Sequence, residues 1–266
     1  MTADYLVVGA GPTGMGCATA LAARGTTLVL DRIPVTGGTA GWDHPDVLSY
    51  TKALKDAGAH LRLGQTALRW DGAALLVTGP GLVDSLPGRH LFIAGGLRPA
   101  TAANLGVVGE RPAGVLPATV AEHLLQARVR LWDHAVIVGD GPWASHVAHA
   151  CRRLGTKVTA LHLLDDATSP PTWGDEVVSV AGSLTVHGTT RVAALEFETP
   201  SGRGRLACDA VILAADPRPN RNVEGALLDG ASGVTYLQPT QPLSVQGRYA
   251  AGLVATKAWL EKNGDK

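Results

Sequence analysis

Short apolar segments of five or six residues recur along the chain and are separated by stretches rich in glycine and proline. Because polar residues do not alternate within these segments, they are typical of strands buried on both faces, as in a parallel sheet. Stretches with helical periodicity lie between several of them. This order of elements predicts an α/β fold. No apolar run reaches the roughly 18 residues that indicate a membrane-spanning helix.

Residues 4–31 and 134–161 are related copies that align without a gap at an offset of 130 positions. Each copy contains an apolar strand, a glycine-rich turn, a helix, a glycine at the helix end and a second apolar strand. The identical pairs include Gly9 with Gly139, Gly11 with Gly141, Pro12 with Pro142 and Gly25 with Gly155. The sequence therefore predicts two copies of a βαβ unit in this chain.

Weaker patterns predict the remaining elements. Helices are predicted at 46–57, 118–126 and 248–262, and strands at 60–63, 74–77, 91–94, 183–187, 192–199 and 210–214. Residues 112–117 have the composition of a linker. Segments 90–99 and 210–219 are similar to each other, since each runs from an apolar strand through small residues into Arg-Pro. Each of these two segments is expected to close one sheet.

These patterns together predict two Rossmann-like three-layer domains, the second inserted into the first. The first domain is expected to comprise residues 1–109 and 216–266, with the C-terminal helix packing back on it. The inserted domain is expected to comprise residues 110–215.

The first glycine-rich turn has the spacing of a dinucleotide-binding loop. Gly9 permits the tight turn, Gly11 lets the backbone approach a diphosphate, and Gly14 lets the helix pack closely on the strand. The amides and the positive end of the helix dipole then attract the phosphates. Asp31 ends the second strand, 22 residues after Gly9, where a carboxylate can accept hydrogen bonds from a ribose. Its charge disfavours a 2′-phosphate.

The second glycine-rich turn is less complete. It keeps Gly139, Gly141 and Pro142 and has Ala144 in the third position, but Leu161 stands where the first copy has an acid. Asp140 also places a negative charge beside the expected diphosphate position. Two interpretations stay open: this turn has lost its ligand, or it binds NAD(P) or an adenine nucleotide loosely.

Composition narrows the possible partners and compartments. Lys+Arg and Asp+Glu both number 23, so the formal net charge is zero, and nucleic acid or an anionic membrane is not expected as a partner. The three cysteines are far apart and form no Cys-x-x-Cys motif, which argues against a redox dithiol. Unclustered thiols and a start without a signal-peptide pattern lead us to expect a cytoplasmic protein. No metal site is expected.

The first loop, followed by Asp31-Arg32 and Gly37-Gly38, resembles the flavoproteins of the pyridine-nucleotide-disulfide reductase fold. The segment 109–118, followed by a helix and a second glycine loop, is similar to the larger subunits of heteromeric amine-oxidising dehydrogenases. These are the opine oxidase, (hydroxy)proline dehydrogenase, sarcosine oxidase and hydrogen cyanide synthase relatives. The resemblance implies FAD in the outer domain and NAD(P) in the inserted one.

Carried over by position, the resemblance implies a set of FAD-binding residues: Gly9, Gly11, Pro12, Thr13, Gly14, Asp31, Arg32, Gly37, Gly38, Ala94, Gly95 and Gly96. Two features depart from the family pattern. Gln238-Pro239 stands where relatives carry a Gly-Asp pair that binds the flavin side chain, and the redox Cys-x-x-Cys is missing.

The function expected from these features is that of an FAD-binding oxidoreductase subunit. It would pass electrons from a partner flavoprotein that oxidises an amine or amino acid of the opine, proline or sarcosine type. No catalytic acid or base is assigned in this chain. An alternative is a degenerate, non-catalytic scaffold that stabilises a catalytic partner. A third hypothesis, a self-sufficient NAD(P)H-dependent flavin reductase, requires the second loop to bind a nucleotide.

Overall fold

The structure is a computed structural model, which describes residues 2–164, 169–220, 232–237 and 244–263. The strands within these residues are β1 (Ala3–Val8), β2 (Thr27–Asp31), β3 (His60–Leu63), β4 (Thr66–Trp70), β5 (Ala74–Gly79), β6 (Leu82–Ile93), β7 (Leu97–Arg98), β8 (Val107–Gly109), β9 (Val115–Pro117), β10 (His134–Val138), β11 (Lys157–Leu163), β12 (Glu176–Val180), β13 (Leu184–His187), β14 (Ala194–Thr199), β15 (Gly202–Ala207), β16 (Ala210–Leu213), β17 (Arg218–Pro219) and β18 (Val234–Tyr236). The α-helices are α1 (Pro12–Ala22), α2 (Pro45–Asp56), α3 (Ala118–Leu125), α4 (Ala144–Arg153) and α5 (Val245–Asn263), with short 3₁₀ turns at Gly38–Ala40 and Ala102–Leu105.

The chain forms two compact units, Met1–Leu97 with Pro219–Lys266, and Arg98–Arg218. The chain therefore enters the second unit after residue 97, earlier than the predicted boundary after 109, and leaves it after residue 218, later than the predicted boundary after 215. Residues 98–109 belong to the second unit because β8 pairs in parallel with β13, a strand of that unit. A three-residue strand carries too weak a pattern for this pairing to be visible in the sequence.

The first unit is built on one sheet with the order β3-β2-β1-β6-β5-β4, and β18 also pairs with β6. Strands β1, β2, β3 and β18 run parallel to their neighbours, whereas β4, β5 and β6 form an antiparallel meander. Val8 of β1 pairs with both Leu30 and Ile93. The carboxyl ends of β1, β2 and β6 therefore lie at the same edge, where ligands bind in such sheets.

Helices cover one face of the first unit and the meander covers the other. Val7 and Phe92 pack with α1, α2 and α5, whereas Leu6 and Leu91 pack against β4 and β5. Alternate residues of each strand therefore serve two cores, as expected for a strand buried on both faces.

Helices α1 and α5 approach each other closely because glycines face the partner backbone. A Cβ on Gly16 would lie 2.1 Å from the carbonyl oxygen of Tyr249, and one on Gly252 would lie 2.0 Å from that of Thr13. A side chain at either position would force the helices apart. The predicted C-terminal helix thus packs against the first unit, as expected from the sequence. None of the helices in the described ranges is both long and apolar enough to cross a membrane.

The second unit has three layers. A parallel sheet of order β12-β11-β10-β16-β9 carries α3 and α4 on one face and the sheet β15-β14-β13-β8 on the other. Ala135 and Ile137 of β10 face the helices, whereas Val136 and Val138 face the second sheet. Both units therefore have the Rossmann-like three-layer α/β arrangement, with the second inserted into the first, and the predicted fold class is confirmed.

One local prediction was wrong, and one predicted strand was too short. The supposed linker at 112–117 contains β9, an edge strand in which Val115 pairs with Val211. An edge strand tolerates the terminal Pro117 because no neighbour needs its missing amide. The strand predicted at 91–94 is the end of the much longer β6. Its first half mixes mostly exposed residues with Asp84 and the buried Leu86, in the antiparallel hairpin with β5.

Candidate functional site

The first glycine turn lies at the carboxyl end of β1, and two of its glycines are required by packing. Gly9 has φ +110°, and a Cβ there would lie 2.2 Å from the carbonyl oxygen of Ala94. A Cβ on Gly14 would lie 1.8 Å from the carbonyl oxygen of Gly9. These two residues therefore hold the turn against β6 and α1 against β1, whether or not a ligand binds.

Gly11 differs from these two because the space in front of it is open. The nearest atom to a Cβ built on Gly11 is the carbonyl oxygen of Gly37, 4.0 Å away. Gly11 caps the N-terminus of α1, Pro12 follows at the first helical position, and the first turn holds no acidic side chain. Among the described residues, the structure shows no acceptor for the Gly11 amide. This free donor at the positive end of α1 is suited to an anion.

A second glycine pair packs against this turn. The Gly37 amide donates to the carbonyl oxygen of Ala10 at 2.8 Å, and Gly37 has φ +107°. Gly38 has φ +54°, and a Cβ built on it would lie 3.5 Å from the Cα of Gly11. The two loops thus form a cradle lined by backbone, which we call the first glycine cradle (Gly9–Gly14 with Gly37–Gly38).

The Asp31 carboxylate is fixed at one end of this cradle. Its Oδ2 accepts a hydrogen bond from the Ala10 amide at 2.7 Å, and its Oδ1 accepts one from the Ile33 amide at 2.9 Å. Each carboxylate oxygen can accept a further bond. Asp31 therefore both braces the loop and offers oriented acceptors for ribose hydroxyls. Arg32, the next residue, is exposed at the end of β2.

The turn after β6 closes the same edge of the sheet. Ala94 donates its amide to the carbonyl oxygen of Val8 at 2.8 Å and is buried. Asn220 returns beside this turn, donating its amide to the carbonyl oxygen of Gly96 at 2.8 Å. A Cβ on Gly95 would lie 2.5 Å from the Asn220 carbonyl oxygen. The predicted residues of the first unit thus meet at one edge of one sheet, and Gln238-Pro239 lies outside the described residues.

Two further residues join the cradle that the sequence did not indicate. Arg248, in the first turn of α5, donates from Nη1 to the Thr39 Oγ1 at 3.1 Å, and Thr39 directly follows Gly38. Burial lowers the pKa of the Arg248 guanidinium below its ordinary value. No motif connects positions 209 residues apart, so only the packing of α5 on α1 could bring this cation to the cradle.

The second glycine turn has a different conformation. The Gly141 amide donates to the carbonyl oxygen of Ala214 at 2.7 Å, so its donor is already used. Helix α4 begins at Ala144, whereas its counterpart α1 begins at Pro12, the match of Pro142. Pro142 and Trp143 instead form a turn that precedes the helix. The amides that would face a diphosphate are therefore either bonded or displaced.

Side chains reinforce this closure. The indole Nε1 of Trp173 donates to the Asp140 Oδ1 at 2.7 Å, and Trp173 is buried. Leu161, which matches Asp31, is fully buried and offers no acceptor. Asp140, between Gly139 and Gly141, also adds a negative charge to this turn, which disfavours a phosphate there. The residues present in the second unit do not fit a dinucleotide diphosphate, whereas those of the first glycine cradle do.

The cysteines cannot act as a redox pair. All three are buried and free. Burial raises the pKa of Cys17 to about 12, of Cys151 to about 11 and of Cys208 to about 12, so the thiols stay neutral at physiological pH. Within the described ranges, no group of three or more His, Cys, Asp or Glu residues is placed to hold a metal ion.

Solved structures of similar fold include two thioredoxin reductases and a proline dehydrogenase. Lactococcus lactis thioredoxin reductase in its FR conformation matches at a TM-score of 0.66 and 16% identity, over 98% of both chains. T. acidophilum thioredoxin reductase matches at 0.66 and 15% identity, over 98% of both chains. L-proline dehydrogenase from P. horikoshii matches at 0.61 and 16% identity, over 99% of this chain but 56% of that one. At these identities the likeness establishes the fold alone.

The sequence itself also matches a family model. No curated relative matches it, but the model described as pyridine nucleotide-disulphide oxidoreductase matches residues 3–257. This range includes both glycine turns, Asp31 and most of α5. The chain therefore belongs to the pyridine nucleotide-disulphide oxidoreductase family.

Proposed function

We propose that this chain is the electron-transferring subunit of a flavin-dependent oxidoreductase. It binds FAD through the first glycine cradle and receives electrons from a partner flavoprotein that oxidises an amine or amino acid. The observation that supports this proposal is a difference between the two repeats. The first glycine turn is open to a diphosphate, whereas in the second the Gly141 amide is already bonded to the Ala214 carbonyl oxygen. FAD, when bound, supplies the capacity to accept and release one or two electrons.

The residues of the first unit have separate roles in this proposal. The Gly11 amide and the N-terminus of α1 bind the diphosphate. Asp31, already held by the Ala10 and Ile33 amides, accepts hydrogen bonds from the adenosine ribose. Because two backbone donors fix its carboxylate before a ligand arrives, little side-chain entropy is lost on binding.

The closed second turn argues against NAD(P)H as the electron donor. A self-sufficient NAD(P)H-dependent reductase needs a second dinucleotide site. Here the Gly141 amide is bonded to Ala214, and Asp140 stands beside it. A disulfide substrate is also disfavoured, because the buried thiols of this chain cannot relay electrons to one. We therefore propose that the electrons come from another protein and that the chain works in a hetero-oligomer.

Amine oxidation is proposed because L-proline dehydrogenase has the same fold and is longer. This chain spans 56% of that protein's length, so the remaining part has no counterpart here. We propose that substrate oxidation takes place in the partner subunit, since no acid–base pair is found at the cradle among the described residues. Opines, proline and sarcosine are the substrate types proposed.

A non-catalytic scaffold is the second candidate. Two observations favour it: the closure of the second turn, and Gln238-Pro239 in the position where family members carry Gly-Asp. In this case the first cradle would hold AMP, ADP or ATP, or remain only a structural element.

The test is to identify the small molecules released when the protein, purified with its native partners, is denatured. FAD at about one equivalent per chain supports the proposal, and a colourless complex without flavin contradicts it. Asp31→Ala separates the two candidates: the oxidoreductase loses FAD and activity, whereas a scaffold keeps the activity of its complex. Oxidation of NADH or NADPH by the isolated chain would instead support the reductase hypothesis.

A further inference from the structure

Arg248 is an unusual residue for its place in the fold. It lies in the first turn of α5, where the helix dipole is positive and a cation is disfavoured. No acidic side chain occurs in that turn, and no ion pair of Arg248 is found among the described residues. Among the described residues, its Nε is buried without a hydrogen-bond partner, and Nη1 donates a hydrogen bond to the side chain of Thr39. Arg248 is half-buried. Partly removing an unpaired cation from water beside a like-signed helix end costs free energy, which an anion would recover.

The position of Arg248 indicates which anion. Thr39 follows Gly38, and Gly38 faces Gly11, whose amide is without an acceptor among the described residues. Thr39 therefore links the guanidinium to the loop that packs against Gly11 at the N-terminus of α1. A diphosphate presents several acceptor oxygens and a double negative charge, and guanidinium forms its strongest hydrogen bonds with such groups.

We propose that Arg248 is a positioning residue that binds the diphosphate of the dinucleotide opposite the Gly11 amide, with Thr39 holding the guanidinium in place. This inference rests on the proposed function, because it assigns a further contact to the same cradle. The two ends of the diphosphate are thereby bound by groups that arrive from distant parts of the chain. In this way Arg248 would compensate in part for the binding residues that this chain lacks relative to the family pattern.

The test uses calorimetric titration of the full chain, stripped of nucleotide, with FAD, ADP and riboflavin. Arg248→Gln is expected to weaken the binding of FAD and of ADP by the same factor, about tenfold or more for one lost charge-assisted hydrogen bond. Riboflavin, which has no phosphate, is expected to be unaffected. Lys257→Gln removes the same charge from an exposed position of the same helix and is expected to leave all three affinities unchanged. Arg248→Met keeps the aliphatic stem and is measured in parallel in case the glutamine variant does not fold.

Each outcome decides the matter. If both Arg248 variants bind FAD and ADP as tightly as Lys257→Gln does, the inference is overturned while the proposed function stands. Weakened FAD with unchanged ADP also overturns it, because the contact is then with the flavin half. If the wild-type chain binds ADP in an Arg248-dependent manner but not FAD, the diphosphate contact holds and the proposed flavin function fails. A wild-type chain that binds neither ligand overturns both.

The gain in melting temperature on ADP binding is a readout that a purely structural role of Arg248 would not change. Without ligand, Arg248→Gln is expected to melt at or above the wild-type temperature, because it removes an unpaired, half-buried cation. With saturating ADP, the wild type is expected to gain more thermal stability than the variant does. A lower melting temperature for ligand-free Arg248→Gln, with an unchanged gain on ADP, would indicate a structural residue and contradict the inference.

Discussion

Gly11 and Gly141 occupy equivalent positions in the two repeats. Replacing Gly11 with valine is expected mainly to abolish flavin binding, whereas replacing Gly141 with valine is expected mainly to lower stability. At Gly11, φ −74° and ψ 175° suit any residue, and the nearest atom to an added Cβ is 4.0 Å away. At Gly141 the Cβ would lie 2.5 Å from the Ala214 carbonyl oxygen and 2.6 Å from the Ala215 carbonyl carbon. Those are backbone atoms, which cannot rotate away.

The stability effects follow from this geometry. Gly11→Val replaces an acceptable helix N-cap with a poor one, which costs about 1 kcal/mol. Gly141→Val must displace the end of β16, and overpacking of this kind costs about 1–3 kcal/mol. It also breaks the Gly141 hydrogen bond to Ala214, for about 1 kcal/mol more. Since each kcal/mol shifts the melting temperature of a chain this large by about 2–4 °C, Gly141→Val should melt roughly 4–16 °C lower and Gly11→Val about 2–4 °C lower.

For flavin binding, Gly11→Val is expected to be the more damaging of the two substitutions. The valine methyls at position 11 would occupy the space of the diphosphate, so Gly11→Val should be purified without flavin. Gly141→Val should retain flavin at low temperature, because its defect lies in the other unit. The assay is flavin content after desalting, together with a calorimetric melting curve, and Ala23→Val at the exposed far end of α1 is the matched control. Full flavin content in Gly11→Val, or an undiminished melting temperature in Gly141→Val, would refute the assignment of the open and closed turns.

Three further predictions concern the supporting structure. Trp173→Phe leaves the Asp140 carboxylate without its indole donor, and we expect a loss of about 1–2 kcal/mol in denaturant unfolding with no change in flavin content. Gly252→Ala places a methyl group against the carbonyl oxygen of Thr13, so α1 and α5 must separate; a loss of at least about 1–3 kcal/mol is expected, and an unchanged unfolding midpoint would contradict the packing. The cysteine pKa values rise from an ordinary 9.0 to about 11–12 on folding, so the unfolded chain releases thiol protons first as pH rises. The stability that the neutral thiols contribute is therefore complete below pH 9 and lost between about pH 9 and 12, which chemical unfolding at a series of alkaline pH values will detect.

Much of the fold was visible in the sequence because its signals are local. The helix predicted at 46–57 is α2 (Pro45–Asp56), and the strand predicted at 60–63 is β3. Gly9, Gly14 and Asp31 stand at fixed spacings within a single βαβ unit, so their convergence follows from short-range geometry. Strands β8 and β9 were missed because three residues carry no periodicity, and their existence depends on partners far along the chain.

The state of the two glycine turns shows the limit of local patterns. Gly11 and Gly141 lie in matching sequences, yet one amide is free of described acceptors and the other is bonded to Ala214. The difference depends on what the end of β16, Trp173 and Asp140 do around the second turn. None of these contacts is written in the motif itself.

The sequence by itself determined the repeated βαβ unit, the α/β fold and the residues that could bind a dinucleotide, because short apolar strands, glycine turns and helix periodicity act over a few residues. Only the tertiary structure decided which turn is open and which cation stands beside it. Arg248 reaches Thr39 across 209 positions because Gly16 and Gly252 let α1 and α5 touch. Such contacts depend on packing between distant segments, and a one-dimensional pattern carries no record of that distance.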